Sequence, residues 1–409
     1  MGALAQMRKI LIPAIGTRSD VQPYLALGLG LQRAGHTVTI ASHPGMGQWI
    51  KSHGLTFASI GPNIHLGNEA EKIRTRAKNK VLGFISLMEF TASIVERCSK
   101  DILKLCPGAD LMIVTHSFAG RAESDKAGIP FISVTIQPQI IPVVESHQTG
   151  INRATSAVIG AVMNSMMVGP YNHIRKQLNL PPIKGSLENM MSGRLNLVPV
   201  SPLVVTPDPR WAPQHRMVGY WLLGEPPGWS SPVEIRAFLD AGGPPVAIWL
   251  GGSLSGKETI DLLKMFVEAT RFAGVRAIIV GSQEAARKID LPPTVMVSGW
   301  IPPSWLLPKC CALVHYAGFT ITGAGLRAGI PAVSIPQTVD QDFWAQRIYQ
   351  LKCGPKAIPY PELSSERVAL ALIETLRDTQ MRQQAQMLGE QIRLESSVRL
   401  TAQMIEQAF

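Results

Sequence analysis

Cysteine is scarce and scattered in this chain of 409 residues: Cys98, Cys106, Cys310, Cys311 and Cys353, with no CxxC pair and no Cys/His cluster. An odd count without such spacing argues against a disulfide framework or a zinc site. It points to a reducing, cytoplasmic setting in which the thiols pack as small hydrophobes. Charge is also thin, at 17% of residues against about 25% in typical domains. No long apolar run reaches the roughly 18 residues that a membrane span needs; the longest candidate, Ala157 to Val168, is broken by Asn164 and Ser165. Met1 to Gln6 reads as a ragged leader, and Arg8-Lys9 leads directly into an apolar strand, so no secretory signal is expected. Basic runs interleaved with aromatics are missing, which argues against nucleic acid as a partner. The net charge of +10 suits an anionic nucleotide, or peripheral contact with an anionic lipid surface, although no basic amphipathic helix stands out.

What the chain does contain is the rhythm of parallel α/β units. Arg8 to Ile15 reads as an apolar strand, Gly16 to Ser19 as a turn, Val21 to Arg33 as a helix stopped by Gly35, and His36 to Ala41 as the next strand. Such continuous apolar strands belong in a parallel sheet covered on both faces. The pattern recurs at Leu111 to Thr115, Ala119 to Ala127 and Phe131 to Ile136, after a long helix expected from Lys80 to Cys98. Eight prolines punctuate residues 207–245, a linker composition. The α/β rhythm then resumes with strands at Val246 to Leu250, Arg276 to Val280, Val295 to Ser298, Ala312 to His315 and Ala332 to Ile335. Helices are expected at Ile260 to Phe272, Thr320 to Ala328, Phe343 to Leu351 and Arg367 to Arg377, with a helical tail. The expected fold is therefore α/β, two doubly wound Rossmann-like domains facing across a cleft. An N-terminal domain would span 1–218, a linker 219–240, a C-terminal domain 241–390, and a last helix in 391–409 would pack back on the first domain. Ligands of such sheets bind outside the carboxyl ends of the strands.

At the first strand-to-helix turn stands Gly16-Thr17-Arg18-Ser19-Asp20-Val21-Gln22-Pro23. Ser19 and Gln22 have the spacing of a capping box, which would make Asp20 the first helical residue with its carboxylate free to face the cleft. Taken alone, Asp20 is more simply a cap or a partner of the helix dipole. A dinucleotide fingerprint does not apply: Gly28 and Gly30 lie inside the helix and Arg33 stands at the third glycine position.

The run from Gly16 to Ala41 resembles the opening of family 1 glycosyltransferases of the bacterial antibiotic and sterol glycosyltransferase type, whose usual text is G-[ST]-R-G-D-V-x-P. The second half carries further likeness. Gly299-Trp300-Ile301-Pro302 is similar to the family's G-W-x-P, and the run from His315 to Leu326 to its H-H-G-G-A-G-T-T-x-x-G-L. Asp340-Gln341-Asp342-Phe343-Trp344 is similar to D-Q-x-x-W, and Gly252-Ser253 stands after a strand as in its phosphate loop. Each motif is weak alone; together, in order and over most of the chain, they are specific.

The resemblance implies a GT-B fold and an inverting transfer of a hexose, glucose first, from a UDP-sugar or a dTDP-sugar without a metal or other cofactor. It implies Asp20 as general base. His315 would hydrogen-bond the diphosphate at the N-terminus of the helix from Thr320, where unpaired N–H groups and the dipole favour an anion. The donor set it implies is Thr17, Gly252, Ser253, Trp300, Ile301, His315, Ala317, Gly318, Phe319, Thr320, Asp340 and Gln341. The D-x-D spacing of Asp340 and Asp342 is read as coincidence. Two departures stand out: Phe319 is bulky where small residues let backbone N–H groups approach phosphate, and Ile321 lacks the usual hydroxyl.

The acceptor is read from two apolar, Met-bearing stretches, Val81 to Val95 and Ile136 to Val168, which suit a terpenoid, sterol, polyketide or lipid. The residues expected there are Phe84, Met88, His116, Gln137 and Ile140. Both stretches are also compatible with ordinary core helices. A monomer or weak dimer is expected. Two other readings stay open: a catalytically impaired accessory protein whose donor loop Phe319 blocks, and a nucleotide-sugar epimerase on the same architecture.

Overall fold

Short runs of Ile, Val, Leu and Ala alternate with glycine turns and longer helices, and in the computed structural model these runs become two parallel sheets. The structure describes residues 7–64, 66–76, 80–143, 168–184, 187–250 and 257–409. The chain divides into two compact units, one of Met1–Leu66, Phe84–Trp221 and Ser396–Phe409, the other of Gly67–Gly83 and Leu222–Glu395.

The first unit carries β1 (Lys9–Pro13), β2 (Thr37–Ser42), β3 (Thr56–Ser59), β4 (Leu111–Val114), β5 (Phe131–Val134), β6 (Asn196–Val198) and β7 (His215–Met217). They form a sheet in the order β3-β2-β1-β4-β5-β6-β7. All its pairings are parallel, and the register of the central pair sets Ile10 beside Leu111 and Leu11 beside Met112. The order reverses between β1 and β4, and there the loops leaving two neighbouring strands part to opposite sides and open a crevice. Every residue of β4 is buried, as are Ile10 to Pro13 of β1, because helices cover both faces.

The second unit repeats the plan with β8 (Val246–Trp249), β9 (Ala277–Val280), β10 (Val295–Ser298), β11 (Ala312–His315) and β12 (Ala332–Ser334), in the order β10-β9-β8-β11-β12. Its reversal falls between β8 and β11. The core below is mostly aliphatic around Phe266, with Ile248, Leu263, Phe266, Ile279, Val314, Val333 and Leu372 all at most 2% exposed.

Sequence and structure differ at the short elements. The strands Thr56–Ser59, Asn196–Val198 and His215–Met217 have three or four residues each, too few for a period of two to register. The Pro-rich span contains a helix, Val233–Asp240, entered through Pro232, which is where proline is tolerated because the first N–H groups of a helix have no partner.

The last helix, Ser397–Ala408, packs on the first helix of its unit, Arg18–Arg33. Trp221 Nε1 donates to Thr401 Oγ1 at 2.9 Å, and the Arg8 guanidinium donates to the Phe409 carbonyl. Gly30 permits this contact: a Cβ there would lie 2.0 Å from Val398 Cγ1. Gly30→Ala is expected to lower stability by about 1–3 kcal/mol through overpacking. Adding Val398→Ala should recover most of the loss, as thermal melts of the single and double variants would show.

All five cysteines are free, and four are buried. Burial pushes the Cys98, Cys310 and Cys353 thiols up to about 12 and that of Cys106 to about 11, so these side chains behave as apolar filling. No helix among the described residues is long and apolar enough to cross a membrane.

Candidate functional site

The crevice of the first unit gathers its chemistry from the loops leaving β1 and β4. The Thr115 hydroxyl, just past β4, donates to the Pro13 carbonyl at the end of β1 at 2.9 Å and lies 3.0 Å from the Ser117 hydroxyl, which ties the two loops together. The first helix begins at Arg18 with Thr17 as its N-cap and Asp20 at the third helical position. The Asp20 carboxylate turns back, and its Oδ2 accepts from the Thr17 N–H at 2.7 Å and the Thr17 hydroxyl at 2.8 Å. The capping box is therefore Thr17 with Asp20, a correction of the Ser19 and Gln22 pairing. A Thr at the N-cap with a carboxylate three residues on satisfies the same need two residues earlier. Thr17, read as a donor-binding residue, has its hydroxyl hydrogen engaged by Asp20.

The other carboxylate oxygen, Asp20 Oδ1, lies 3.9 Å from His116 Nε2. His116 Nδ1 is 2.8 Å from the Tyr24 hydroxyl, and the His116 backbone N–H donates to that same hydroxyl at 2.9 Å. The two rings stack with centroids 5.8 Å apart and planes 10° from parallel. Burial lowers the pKa of His116, against a smaller upward pull from Asp20, so the imidazole is neutral around pH 7. Burial likewise raises that of Tyr24, whose phenol keeps its proton.

Asp20 and His116 sit in the wall of a pocket of about 190 Å³ whose other walls are mostly apolar: Ile15, Met88, Val95, Phe118, Tyr171, Ile174 and Met190 among them. Met88, Thr91, Ala92 and Val95 come from one face of the helix Lys80–Leu105, at the spacing of successive turns. Of the expected acceptor residues, Met88 and His116 line this pocket and Phe84, Gln137 and Ile140 do not. Gln137 and Ile140 follow β5, one strand away from the β1/β4 reversal, and Phe84 lies a turn before Met88. Residues 144–167, most of the second Met-bearing stretch, lie outside the described residues. Sequence reasoning missed Tyr24 and Phe118. Tyr24 looks like any core aromatic of an amphipathic helix. Phe118 is buried with φ +58°, a left-handed backbone that a bulky residue adopts only where the surroundings enforce it.

In the second unit the corresponding crevice lies at the ends of β8 and β11. Gly252 and Ser253, after β8, lie outside the described residues. His315 ends β11 and is 1% exposed. Burial alone takes its pKa down to about 3, so it is a neutral imidazole that offers one ring N–H. Neither ring nitrogen has a hydrogen-bond partner among the described residues, and the same holds for the buried hydroxyls of Thr322 and of Ser334, the register neighbour of His315 on β12. Buried polar groups without partners cost on the order of 1–3 kcal/mol each, so His315 and Ser334, side by side on β11 and β12, mark a place where a polar ligand would be welcome. The helix Phe319–Ala328 starts there with Gly318 as its N-cap, and a Cβ on Gly318 would meet nothing closer than Ile321 Cγ2 at 4.0 Å. The Phe319 ring is half-buried and packs on the buried Trp344, centroids 5.5 Å apart. Trp344 from the D-Q-x-x-W segment thus receives the side chain that replaces a small residue.

Ala317 is fully buried at φ +56°. A left-handed alanine costs roughly 1–2 kcal/mol relative to glycine's freedom, so Ala317→Gly is expected to raise stability by up to about 1 kcal/mol after its own chain-entropy loss. A denaturant titration would measure this. Trp300 is half-buried and Ile301 buried beyond β10, and Thr320 is buried in the first turn of its helix. Asp340 lies inside the helix Val339–Gln350, which begins four residues before the expected Phe343. Gln341 Oε1 accepts from the Gln337 N–H at 2.7 Å, so that atom braces its own loop. A larger cavity of about 680 Å³, with Trp229, Trp305, Arg236 and Lys309 in its wall, opens at the amino ends of β8 and β11, the end of a parallel sheet where ligands are not expected.

Residues 10–106 match the glycosyltransferase family 28 N-terminal domain, and residues 268–405 match the erythromycin biosynthesis protein CIII-like C-terminal domain. The sterol 3-beta-glucosyltransferase of Candida albicans is 31% identical over 416 residues, covering 95% of this chain and 27% of that protein. The chain thus spans about a quarter of that relative's length. The O-mycaminosyltylonolide 6-deoxyallosyltransferase of Streptomyces fradiae is 28% identical over 418 residues, covering 98% of this chain and 97% of its own. Among solved structures, the Streptomyces sp. SF2575 glycosyltransferase SsfS6 superposes with a TM-score of 0.70 at 19% identity, over 98% of this chain and 100% of that one. The glycosyltransferase VinC in complex with dTDP does so with 0.69 at 20% identity, over 98% and 99%. At these identities the likeness is one of fold.

Proposed function

Because the chain belongs to the family 1 glycosyltransferases of the GT-B fold, we propose that it transfers a hexose from a nucleoside diphosphate to a hydroxyl of a lipophilic small molecule, a sterol, terpenoid, polyketide or other lipid. The donor in this reading is a UDP-sugar, glucose first, with a dTDP-sugar as the alternative. The observation that carries the proposal is Asp20, a half-exposed carboxylate in a mostly apolar pocket with Oδ2 held by Thr17 and Oδ1 left for a substrate.

The chemistry is a single displacement with inversion. The acceptor oxygen forms a bond to the anomeric carbon, the bond from that carbon to the diphosphate breaks, and the hydroxyl proton passes to Asp20. The leaving diphosphate develops negative charge that neutral His315 can meet with one ring N–H, beside the N-terminal end of the helix Phe319–Ala328, whose dipole favours an anion. The apolar walls around Met88, Val95 and Ile174 favour an acceptor with few polar groups, and the curated relatives named for sterol and macrolide transfer support that class.

A thermal-shift panel of nucleotide sugars tests the donor half. A true donor at 100 times its Kd should stabilise the protein by about 2.7 kcal/mol, and His315→Ala should abolish that shift. A panel in which neither UDP- nor dTDP-sugars move the melting temperature would overturn the reading.

A further inference from the structure

The Asp20 carboxylate has about four lone-pair positions. Two accept from Thr17, which leaves the Oδ1 side for an acceptor hydroxyl, with His116 Nε2 facing it from 3.9 Å. Whether Nε2 supports Asp20 or competes with it depends on which ring nitrogen carries the proton. Tyr24 decides this. Its side chain is 1% exposed, and its hydroxyl has two partners among the described residues, both on His116. The His116 backbone N–H can only donate, so it occupies the Tyr24 oxygen as an acceptor. Among the described residues the phenolic hydrogen then has His116 Nδ1 as its acceptor. A neutral imidazole that accepts at Nδ1 carries its hydrogen on Nε2.

Resting on the reading of Asp20 as general base, we infer that Tyr24 is a positioning residue: it fixes His116 as the Nε2–H tautomer, so that His116 presents a donor to Asp20 Oδ1 and is barred from acting as a second base. The stacked ring and the backbone N–H contact hold the imidazole plane as well as its tautomer. The hydrogen on Nε2 faces Oδ1 from 3.9 Å, beyond hydrogen-bond distance, so the ring turns the positive end of its N–H dipole, and no competing lone pair, toward the carboxylate. Nothing in the sequence motif marks Tyr24, which sits a turn beyond Asp20 on the buried face of the helix.

The test uses the full chain with 13C/15N-labelled histidine. Ring nitrogen and Cδ2 shifts should report His116 as the Nε2–H tautomer in the wild type and a mixture in Tyr24→Phe. The same variant should lose up to about a hundredfold in kcat, the scale of a misplaced reacting group, with the donor KM unchanged. An Nδ1–H tautomer in the wild type overturns the proposal without any variant having to fold. So does an unchanged tautomer in Tyr24→Phe, or a changed tautomer with wild-type kcat. The base reading fails separately, through full turnover in Asp20→Asn, and that outcome leaves the tautomer measurement standing.

Discussion

Replacing Asp20 by Asn is expected to lower kcat by about 10²–10⁴-fold, the range for losing a general base, while the donor still binds. Asn keeps an oxygen that can accept from the Thr17 N–H and hydroxyl, so the capping box and the first helix should survive. Retained helix and lost proton acceptance are what separate this variant from a folding defect. Steady-state kinetics with the donor varied, set beside a nucleotide-sugar melt, would check both halves. If the variant turned over at the wild-type rate, Asp20 would be a helix cap and nothing more.

The second large effect is expected at Gly16. Its φ is +139°, and a Cβ there would lie 2.5 Å from Asp20 Cβ, 2.6 Å from Oδ2 and 2.8 Å from Cγ. The residue in conflict is the proposed base itself, and all three atoms belong to it. Gly16→Ala should therefore displace the carboxylate and lower kcat by about a hundredfold or more, besides destabilising the fold by roughly 1–3 kcal/mol for the strained backbone. His43 Nε2, which donates to the Gly16 carbonyl at 3.1 Å, gives the loop little freedom to yield. Activity and melting temperature measured together would settle the matter: a variant with full activity would show that the carboxylate position is not critical.

The two effects have one structural origin. Gly16, Thr17 and Asp20 close a tight turn at the end of β1, and the Thr115 side chain ties the end of β4 to the same place. A carboxylate built this way owes its position to backbone geometry, so if Asp20 is the proposed base the turn glycine is as consequential as the acid.

Much of this was legible from residue order alone. Apolar runs such as Lys9–Pro13, Leu111–Val114 and Ala312–His315 announce buried parallel strands because short apolar runs bounded by turns and alternating with longer helical patterns fit a sheet covered on both faces. That Asp20 and His315 stand where a strand gives way to a helix was legible for the same local reason, whereas their proposed roles came from the family resemblance and not from residue order. Boundaries were less so: the helix Val339–Gln350 begins before its apolar face does, and carries Asp340 inside it. Three short strands left no period to read.

Tertiary structure alone decided the partners. Ser19 and Gln22 fit a capping box as well as Thr17 and Asp20 do, and only the backbone turn at Gly16 selects between them. His116 is 92 residues from Tyr24, and no spacing rule connects them; the reversal between β1 and β4 brings them together. Phe319 reads as an obstruction in sequence, yet its ring finds Trp344, a residue whose position depends on a separate helix. Local propensity fixes which segments fold into which elements because it depends on neighbours in the chain. The meeting of one carboxylate, one imidazole and one phenol depends on strand order, which no single segment encodes.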